Sequence, residues 1–308
     1  MKQILSGTLK IAIAVLATVG LLTMVVLAKL SIPTVAAAKP AHVLPAQTSL
    51  ADHYLDVMKR HLTRSDYDAS DESSIPVPVR RFLNARGLRL SQLAPNSQDE
   101  GTAWPETAET MIGIKRLDNI QYCVRDVLAR KVPGDLIECG AWRGGATIFM
   151  RAALFAYNDP DRRVWVADSF EGLPAPDPAT YPADLHDEHF KQGDQLAVGV
   201  DTVRLNFARY GLLDDRVKFL VGWFKNTLPH APIERLAVLR VDADMYEGTI
   251  QALESLYSKV SPSGYVIIDD YGYTKSCQMA VNEFRQKKGI TTPLQKIDWT
   301  GVYWQKSD

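Results

Sequence analysis

Two apolar runs in the second half of the chain each end abruptly in acidic residues. One run leads into Asp242 and Asp244, and the other, about twenty residues later, leads into Asp269 and Asp270. A buried parallel strand has this pattern when its carboxyl end opens onto a binding crevice. We therefore expect two neighbouring strands of one sheet, with the four carboxyl groups close together at its edge.

Carboxylates held this close together repel one another by several kcal/mol unless a cation or protons intervene. A hard divalent cation bound by oxygen ligands removes that repulsion. The alternative interpretation is that each acid only caps the helix that follows it, as Asp often does. Two acidic pairs at the ends of two neighbouring strands favour a metal site over two caps.

The composition is that of a globular protein without a strong charge bias. The 308 residues carry a formal net charge of -1 and contain no basic run with interleaved aromatic residues, which argues against nucleic acid as a partner. The 3 cysteines show no CxxC or Cys/His spacing, which argues against a disulfide framework and a zinc site. The sequence leaves open whether the protein forms a homo-oligomer.

The N-terminal segment departs from the globular pattern. Residues 11–28 contain no charged side chain and are flanked by Lys10 and Lys29, and their length is just enough to span a bilayer. We predict an uncleaved, single-pass membrane anchor. The competing interpretation is a cleaved signal peptide, because residues 34–38 resemble a small-residue cleavage site.

The chain accordingly divides into three parts: the anchor or signal segment over residues 1–30, a linker over residues 31–50 and a globular domain over residues 51–308. Within the globular domain, apolar strands alternate with amphipathic helices, and a hairpin over residues 294–305 ends the pattern. This alternation predicts an α/β fold with a doubly wound, mostly parallel sheet, helices on both faces and a terminal antiparallel hairpin.

A glycine-rich turn over residues 138–145 follows the first strand of this domain. Glycines let the backbone turn tightly and approach a ligand closely, and the start of the next helix presents free N–H groups. The spacing is not the dinucleotide motif G-x-G-x-x-G, and it lacks the Lys and Ser/Thr of a phosphate-binding loop. The next strand ends at Asp168, whose carboxylate either hydrogen-bonds a ribose diol or caps a turn.

Five motifs together resemble the macrocin O-methyltransferase family. They are ECGAWRGG at residues 138–145, DSFEGLP at 168–174, DADMYE at 242–247, IDDYG at 268–272 and IDWTGVYW at 297–304. The resemblance spans roughly residues 54–306 and implies a class I methyltransferase with a Rossmann-like sheet. It also implies an enzyme that depends on S-adenosylmethionine and Mg²⁺ and methylates a hydroxyl of a small-molecule acceptor, as on the sugars of macrolide and aminocoumarin natural products.

The resemblance also assigns roles to the matching positions. At the cofactor it implies Glu138, Gly140, Gly144 and Gly145 around the methionine part, Asp168 and Ser169 at the ribose, and Gly222, Trp223 and Phe224 beside the adenine. As ligands of Mg²⁺ it implies Asp242, Asp269 and Asp270, and as general base Asp244. Residues 171–198 correspond to a lid over the substrate, in which we interpret His186 and His189 as solvated side chains.

Two other classes of function are alternatives to this interpretation. A nicotinamide-dependent oxidoreductase shares the alternating sheet and an acid at the ribose, but it needs G-x-G-x-x-G after the first strand, which the sequence lacks. A noncatalytic, membrane-tethered binding module needs no carboxylate cluster. Because S-adenosylmethionine is cytosolic, we expect a membrane localisation with the catalytic domain on the cytosolic side, or, alternatively, a cleaved signal peptide.

Overall fold

A seven-stranded sheet forms the centre of the described chain, which in this computed structural model comprises residues 49–65, 97–102, 104 and 106–307. The strands are β1 (Asp135–Cys139), β2 (Val164–Asp168), β3 (Val217–Val221), β4 (Leu236–Val241), β5 (Val260–Ile268), β6 (Gln295–Lys296) and β7 (Val302–Gln305). Their order is β3-β2-β1-β4-β5-β7-β6, with β1 to β5 parallel and the β6–β7 hairpin paired antiparallel at the edge of β5. The predicted fold class is confirmed.

Helices cover both faces of the sheet. The longer ones are α1 (Leu50–Thr63), α2 (Ile114–Ala129), α3 (Gly145–Ala156), α4 (Val200–Arg209), α5 (Tyr246–Leu256) and α6 (Lys275–Lys287). Apolar residues of α1 to α4 form one core with one face of the sheet, and those of α5 and α6 form a second core with the other face. Helix α6 is an element that the sequence interpretation did not include. The sequence also predicts a short helix near residues 79–86, and these residues lie outside the described part of the chain.

The carboxyl end of strand β4 is level with the carboxyl ends of its two neighbours, β1 and β5. All of its residues are buried, and its last residue, Val241, lies opposite Cys139 of β1 and Ile268 of β5. Asp242 and Asp269 directly follow β4 and β5, so they emerge side by side at one edge of the sheet. Between β1 and β4 the strand order reverses, which is where open α/β sheets bind ligands.

The turn after β1 admits only glycine at its first position. Gly140 has a φ of +92°, and a Cβ atom there would lie 1.7 Å from the carbonyl oxygen of Asp242. The loops that follow β1 and β4 approach this closely because Gly140 has no side chain.

We correct the predicted membrane localisation. Within the part of the chain that the structure describes, no helix has both the length and the apolar character needed to cross a bilayer. The predicted anchor over residues 11–28 itself lies outside the described residues, so the structure gives it no support.

The segment over residues 171–198 is anchored to helix α5. Asp184 is fully buried and accepts hydrogen bonds from the backbone N–H groups of Tyr246 (2.8 Å) and Glu247 (2.9 Å), the first two residues of α5. The N-cap residue of α5, Met245, offers no side-chain hydrogen bond to these groups. Asp184 therefore caps the helix from a distant part of the chain and places a carboxyl group at the positive end of the helix dipole.

We expect Asp184→Ala to lower the free energy of unfolding by about 1–2 kcal/mol, the usual effect of losing a helix cap. The same change should make residues 171–198 more sensitive to proteinase K, because the segment loses its anchor. Denaturant unfolding and timed proteolysis measure the two effects. Glu188→Ala removes an acid with a 75% exposed side chain from the same segment and, as the control, should change neither. Wild-type protease resistance in Asp184→Ala would show that the carboxyl group is not the anchor.

Candidate active site

Three carboxylates converge where β4 and β5 end. Asp242, Asp269 and Asp270 each present an oxygen atom, and these atoms lie within 4.8 Å of one another. Asp269 and Asp270 are buried, whereas the Asp242 side chain is 28% exposed and lines a cavity. The fold therefore brings together the three residues that the sequence suggested as metal ligands.

A buried guanidinium group lies within this cluster. Arg240 of β4 is 1% exposed and forms ion pairs with Glu138 of β1, with Asp242 (2.8 Å) and with Asp269. One side chain thereby connects the carboxyl ends of β1, β4 and β5. Sequence reasoning assigned Arg240 no role, although an arginine inside an otherwise apolar strand signals a buried acidic partner.

A second guanidinium group reaches the cluster from helix α2. Arg116 forms ion pairs with Asp269 and with Asp298 (2.9 Å), which lies between β6 and β7. Each oxygen of Asp269 thus accepts from one guanidinium group, Oδ1 from Arg240 and Oδ2 from Arg116, which leaves a second lone pair on each. Asp270, by contrast, accepts a hydrogen bond from the backbone N–H of Asp244 (3.0 Å). Nothing in the sequence near Arg116 indicated this contact.

Burial and mutual repulsion oppose ionisation of the cluster. Burial raises the pKa of Asp270 well above its ordinary value, and the charges of Asp244 and Asp242 raise it further. Burial and Asp269 also raise the pKa of Asp242, against the effect of Arg240. The pKa of Asp244 rises to about 7, first through burial and then through Asp242. Protons or a cation must therefore compensate these carboxyl groups at neutral pH.

Asp244 is held in an uncommon backbone conformation. Its φ is +53°, and the N–H of Met245 donates to the C=O of Ala243 (2.5 Å), which closes a γ-turn around Asp244. The hydroxyl of Thr274 donates to the Asp244 carbonyl (2.6 Å) and holds the turn from outside. Strained turns of this kind persist where surrounding contacts impose them, and they concentrate at functional sites. The turn places Asp244 in the lining of the cavity.

The cavity extends from Asp242 and Asp244 across the ends of the first three strands. The residues lining it that the sequence suggested for cofactor binding are Gly140, Asp168, Ser169, Trp223 and Phe224. Trp142 lines it as well, and its indole N–H donates to the carbonyl of Gln195 (2.8 Å), so a second contact attaches the segment over residues 171–198.

The other residues suggested for the cofactor lie outside this lining; they are Glu138, Gly144, Gly145 and Gly222. Glu138 is 1% exposed, with Oε1 on Arg240 and Oε2 on the hydroxyl of Thr147, and burial raises its pKa to about 7. At Gly145 a Cβ atom would lie 2.4 Å from the carbonyl oxygen of Glu109. Glu138 and Gly145 are thus engaged with other parts of the chain, and direct contact of these residues with a cofactor stays a prediction.

Asp168 joins the turn after β1 to the loop after β2. Its Oδ2 accepts hydrogen bonds from the backbone N–H groups of Ala141 (2.6 Å) and Trp142 (3.3 Å), and its Oδ1 accepts one from Phe170 (2.7 Å). Burial raises its pKa, while these N–H groups lower it. The Ser169 hydroxyl makes a longer contact with Oδ1 (3.5 Å), and this is the bond that a ligand hydroxyl in the cavity would most readily replace.

His189 has a different environment from the solvated one we expected. Its side chain is 26% exposed, its Nδ1 lies 3.0 Å from Oδ1 of Asp187, and its ring contacts that of Tyr273. His186 is exposed, as expected. The position of His189 depends on how residues 171–198 fold back onto the sheet, and the local sequence carries no signal for it.

The macrocin-O-methyltransferase (TylF) family profile matches residues 51–306. The 8-demethyl-8-(2,3-dimethoxy-alpha-L-rhamnosyl)-tetracenomycin-C 4'-O-methyltransferase of Streptomyces olivaceus is 49% identical over 256 residues, covering 82% of this chain and 92% of the relative. The demethyldecarbamoylnovobiocin O-methyltransferase of Streptomyces niveus is 53% identical over 254 residues, covering 82% and 93%. The mycinamicin III 3''-O-methyltransferase of Micromonospora griseorubida is 43% identical over 256 residues, covering 82% and 96%.

Solved structures agree with these matches. The O-methyltransferase NovP is 46% identical and superposes with a TM-score of 0.75, covering 84% of this chain and 100% of that one. The calicheamicin methyltransferase CalS11, at 18% identity and a TM-score of 0.52, covers 85% of this chain and 95% of that one and shares the fold. The oxidoreductase and the noncatalytic module are thereby excluded. The chain belongs to the macrocin O-methyltransferase family and is an S-adenosylmethionine-dependent O-methyltransferase.

Proposed function

We propose that the protein transfers a methyl group from S-adenosylmethionine to a sugar hydroxyl of a small-molecule natural product, with Mg²⁺ bound by Asp242, Asp269 and Asp270. The observation that carries the proposal is the convergence of these carboxylates within 4.8 Å, beside a cavity that Asp242 and Asp244 line. Methyl transfer needs the acceptor oxygen in line with the S–CH₃ bond, so the first task of the site is positioning.

The charge balance of the cluster fits a divalent cation. The guanidinium groups of Arg116 and Arg240 form ion pairs with four carboxyl groups, those of Glu138, Asp242, Asp269 and Asp298. Among the described residues, neither guanidinium group pairs with Asp244 or Asp270, whose carboxyl groups lie beside the same cluster. Mg²⁺ prefers oxygen ligands and is commonly held by one or two carboxylates together with water. Bound there, it would lower the pKa of an acceptor hydroxyl and fix its orientation.

Asp244 is our candidate for the general base. The γ-turn holds it at the cavity, and its pKa of about 7 leaves it divided between its two protonation states at neutral pH. A base is most effective when its pKa lies near the working pH. The carboxylate of Asp244 would accept the acceptor's hydroxyl proton as the new O–CH₃ bond forms.

The cavity suits the methyl donor. We assign Asp168 and Ser169 to the ribose hydroxyls, Gly140 to the methionine part, and Trp223 and Phe224 to the adenine. The backbone N–H groups that hold Asp168 orient its carboxylate before a ligand arrives. The two aromatic side chains offer apolar ring surfaces on which a planar base packs well.

The anchored segment over residues 171–198 contributes part of the cavity wall. Gly172, Leu173, Pro174 and Leu196 come from it and line the cavity. Such an apolar cover excludes water, which strengthens the electrostatic interactions beneath it.

The acceptor class is suggested by the relatives. Their names specify O-methylation of a rhamnosyl-tetracenomycin, of demethyldecarbamoylnovobiocin and of mycinamicin III. One name places a rhamnosyl group in the acceptor. We infer an acceptor of the same chemical class, a glycosylated natural product, for this chain.

Incubation with labelled S-adenosylmethionine and those three acceptors tests the proposal. The protein should methylate at least one of them in Mg²⁺, lose turnover in EDTA and regain it when Mg²⁺ is restored. Unchanged turnover in excess EDTA would refute the metal requirement. Binding of S-adenosylmethionine without methylation of any of the three would refute the acceptor class.

Asp270→Asn should weaken Mg²⁺ binding by about tenfold or more, because a charged ligand is lost. It should not lower thermal stability, since the neutral amide relieves the burial and repulsion that raise the pKa of Asp270. Asp269→Asn should weaken Mg²⁺ binding too, but it should also cost about 3 kcal/mol of unfolding free energy, because Arg116 and Arg240 lose a buried charged partner.

Calorimetric Mg²⁺ titration and denaturant unfolding measure these two effects. Glu254→Gln, which neutralises an acid with a 48% exposed side chain outside the cluster, is the control and should leave Mg²⁺ binding unchanged. An equal loss of stability in Asp269→Asn and Asp270→Asn would contradict the ion-pair assignment.

Asp244→Asn should lower the methylation rate about 10²- to 10⁴-fold with little change in Mg²⁺ or S-adenosylmethionine affinity. Asn adopts positive φ readily, so the γ-turn should persist. The wild-type rate should rise with pH as Asp244 loses its proton, with a midpoint at about 7 that a bound cation shifts downward. The variant should lack this rise in a pH–rate profile. A variant that kept it would assign the base to another group.

A further inference from the structure

Three rings are in contact beside the carboxylate cluster. The ring centroids of His189 and Tyr273 lie 5.4 Å apart, and those of Tyr273 and Trp299 lie 5.8 Å apart, both edge to face. We call these three side chains the aromatic platform. Its members come from three separate parts of the chain: residues 171–198, the loop after β5 and the turn between β6 and β7.

The Tyr273 ring belongs to the segment that holds the Asp244 turn. The next residue, Thr274, donates its hydroxyl hydrogen to the carbonyl of Asp244 (2.6 Å). Partial burial raises the pKa of Tyr273, and the charges of Asp244 and Asp270 raise it further. The phenol therefore lies within electrostatic range of the carboxylates.

The Trp299 ring belongs to the segment that holds the end of β5. The next residue, Thr300, donates its hydroxyl hydrogen to the carbonyl of Asp269 (2.7 Å), and its own carbonyl accepts from the N–H of Gly272 (2.8 Å). A Cβ atom at Gly272 would lie 2.4 Å from the carbonyl oxygen of Trp299. The backbones of the segments that carry Tyr273 and Trp299 are therefore in direct contact.

Two of the three rings are exposed, and two are held by polar contacts. Tyr273 is 49% exposed and Trp299 is 42% exposed. The indole N–H of Trp299 donates to the carbonyl of Glu100 (2.7 Å), and the imidazole of His189 is held by Asp187 (3.0 Å). The Trp299 ring is thus oriented by a hydrogen bond, and the Tyr273 ring by its contacts with the rings on either side, so this surface is suited to bind a ligand without first being ordered.

The aromatic platform is separate from the cavity that we assign to the methyl donor. None of the three rings belongs to the described residues that line that cavity. Asp244, by contrast, is one of them. Asp244 thus belongs to both surroundings, because it lines the cavity and its carbonyl accepts a hydrogen bond from Thr274, the neighbour of Tyr273. A sugar ring on the platform would stay outside the donor cavity, while one of its hydroxyl groups would reach Asp244 in the lining of that cavity.

We propose that the aromatic platform binds the sugar ring of the acceptor and presents its hydroxyl to Asp244. A sugar ring has a face of C–H groups, which packs on aromatic rings, and a rim of hydroxyl groups, which carboxylates bind. The combination of ring surface and a few convergent polar groups is typical of small-molecule sites. This inference rests on the proposed function, because it places the acceptor of that reaction.

The test compares Tyr273→Ala, Trp299→Ala and Trp299→Phe with the wild type, using whichever of the three relatives' acceptors the wild type methylates. We expect each Ala variant to raise the acceptor KM about tenfold or more, equivalent to about 1.4 kcal/mol of lost binding. Trp299→Phe should restore most of the affinity, because it keeps a ring. The Kd of S-adenosylmethionine, measured by calorimetry, should stay within about twofold.

Phe155→Ala is the matched control. Phe155 is 61% exposed and contacts Tyr54 edge to face, but it lies at the opposite end of helix α3 from the cofactor turn, so its loss should leave the acceptor KM unchanged. Wild-type turnover with an unchanged acceptor KM in both Ala variants would overturn the platform and leave the proposed function standing. Failure of the wild type to methylate any of the three acceptors would overturn the proposed function, and the platform with it.

Discussion

The buried guanidinium of Arg240 is the contact on which the site depends. A central strand can hold a charged side chain only when acidic partners compensate it, and here the partners Glu138, Asp242 and Asp269 stand at the ends of three adjacent strands. The same ion pairs that join β1, β4 and β5 therefore set the positions of the carboxylates that we propose as ligands. Removing any one partner would disturb the packing of the sheet and the geometry of the site together.

Two further contacts connect the residues that cover the cavity with those that line it. Asp184 caps helix α5, and α5 begins directly after the γ-turn of Asp244. Trp142, in the turn after β1, hydrogen-bonds Gln195 at the far end of the same covering segment. The cover is therefore attached to the turn after β1, which we assign to the methyl donor, and to the helix that follows the Asp244 turn, which relates its position directly to the geometry of the chemistry beneath it.

Much of the fold could be predicted because buried parallel strands are continuous apolar runs with clear ends. The sequence predicts strands over residues 217–221 and 236–241, and these are the bounds observed for β3 and β4. Helix α6 escaped detection because its exposed face is strongly polar, although its buried residues Cys277, Ala280, Val281 and Phe284 recur at helical spacing. Within the site, the acidic residues were found, but their partners Arg240 and Arg116 were not.

The sequence by itself determined that the acidic groups after β4 and β5 would meet, because neighbouring parallel strands end at the same edge of a sheet. Only the tertiary structure decided how charges and caps pair. Glu138 faces Arg240, 102 residues away, and Asp184 caps a helix 62 residues further along the chain. Contacts of this kind depend on distances in the folded molecule, and local patterns of residue type do not encode such distances.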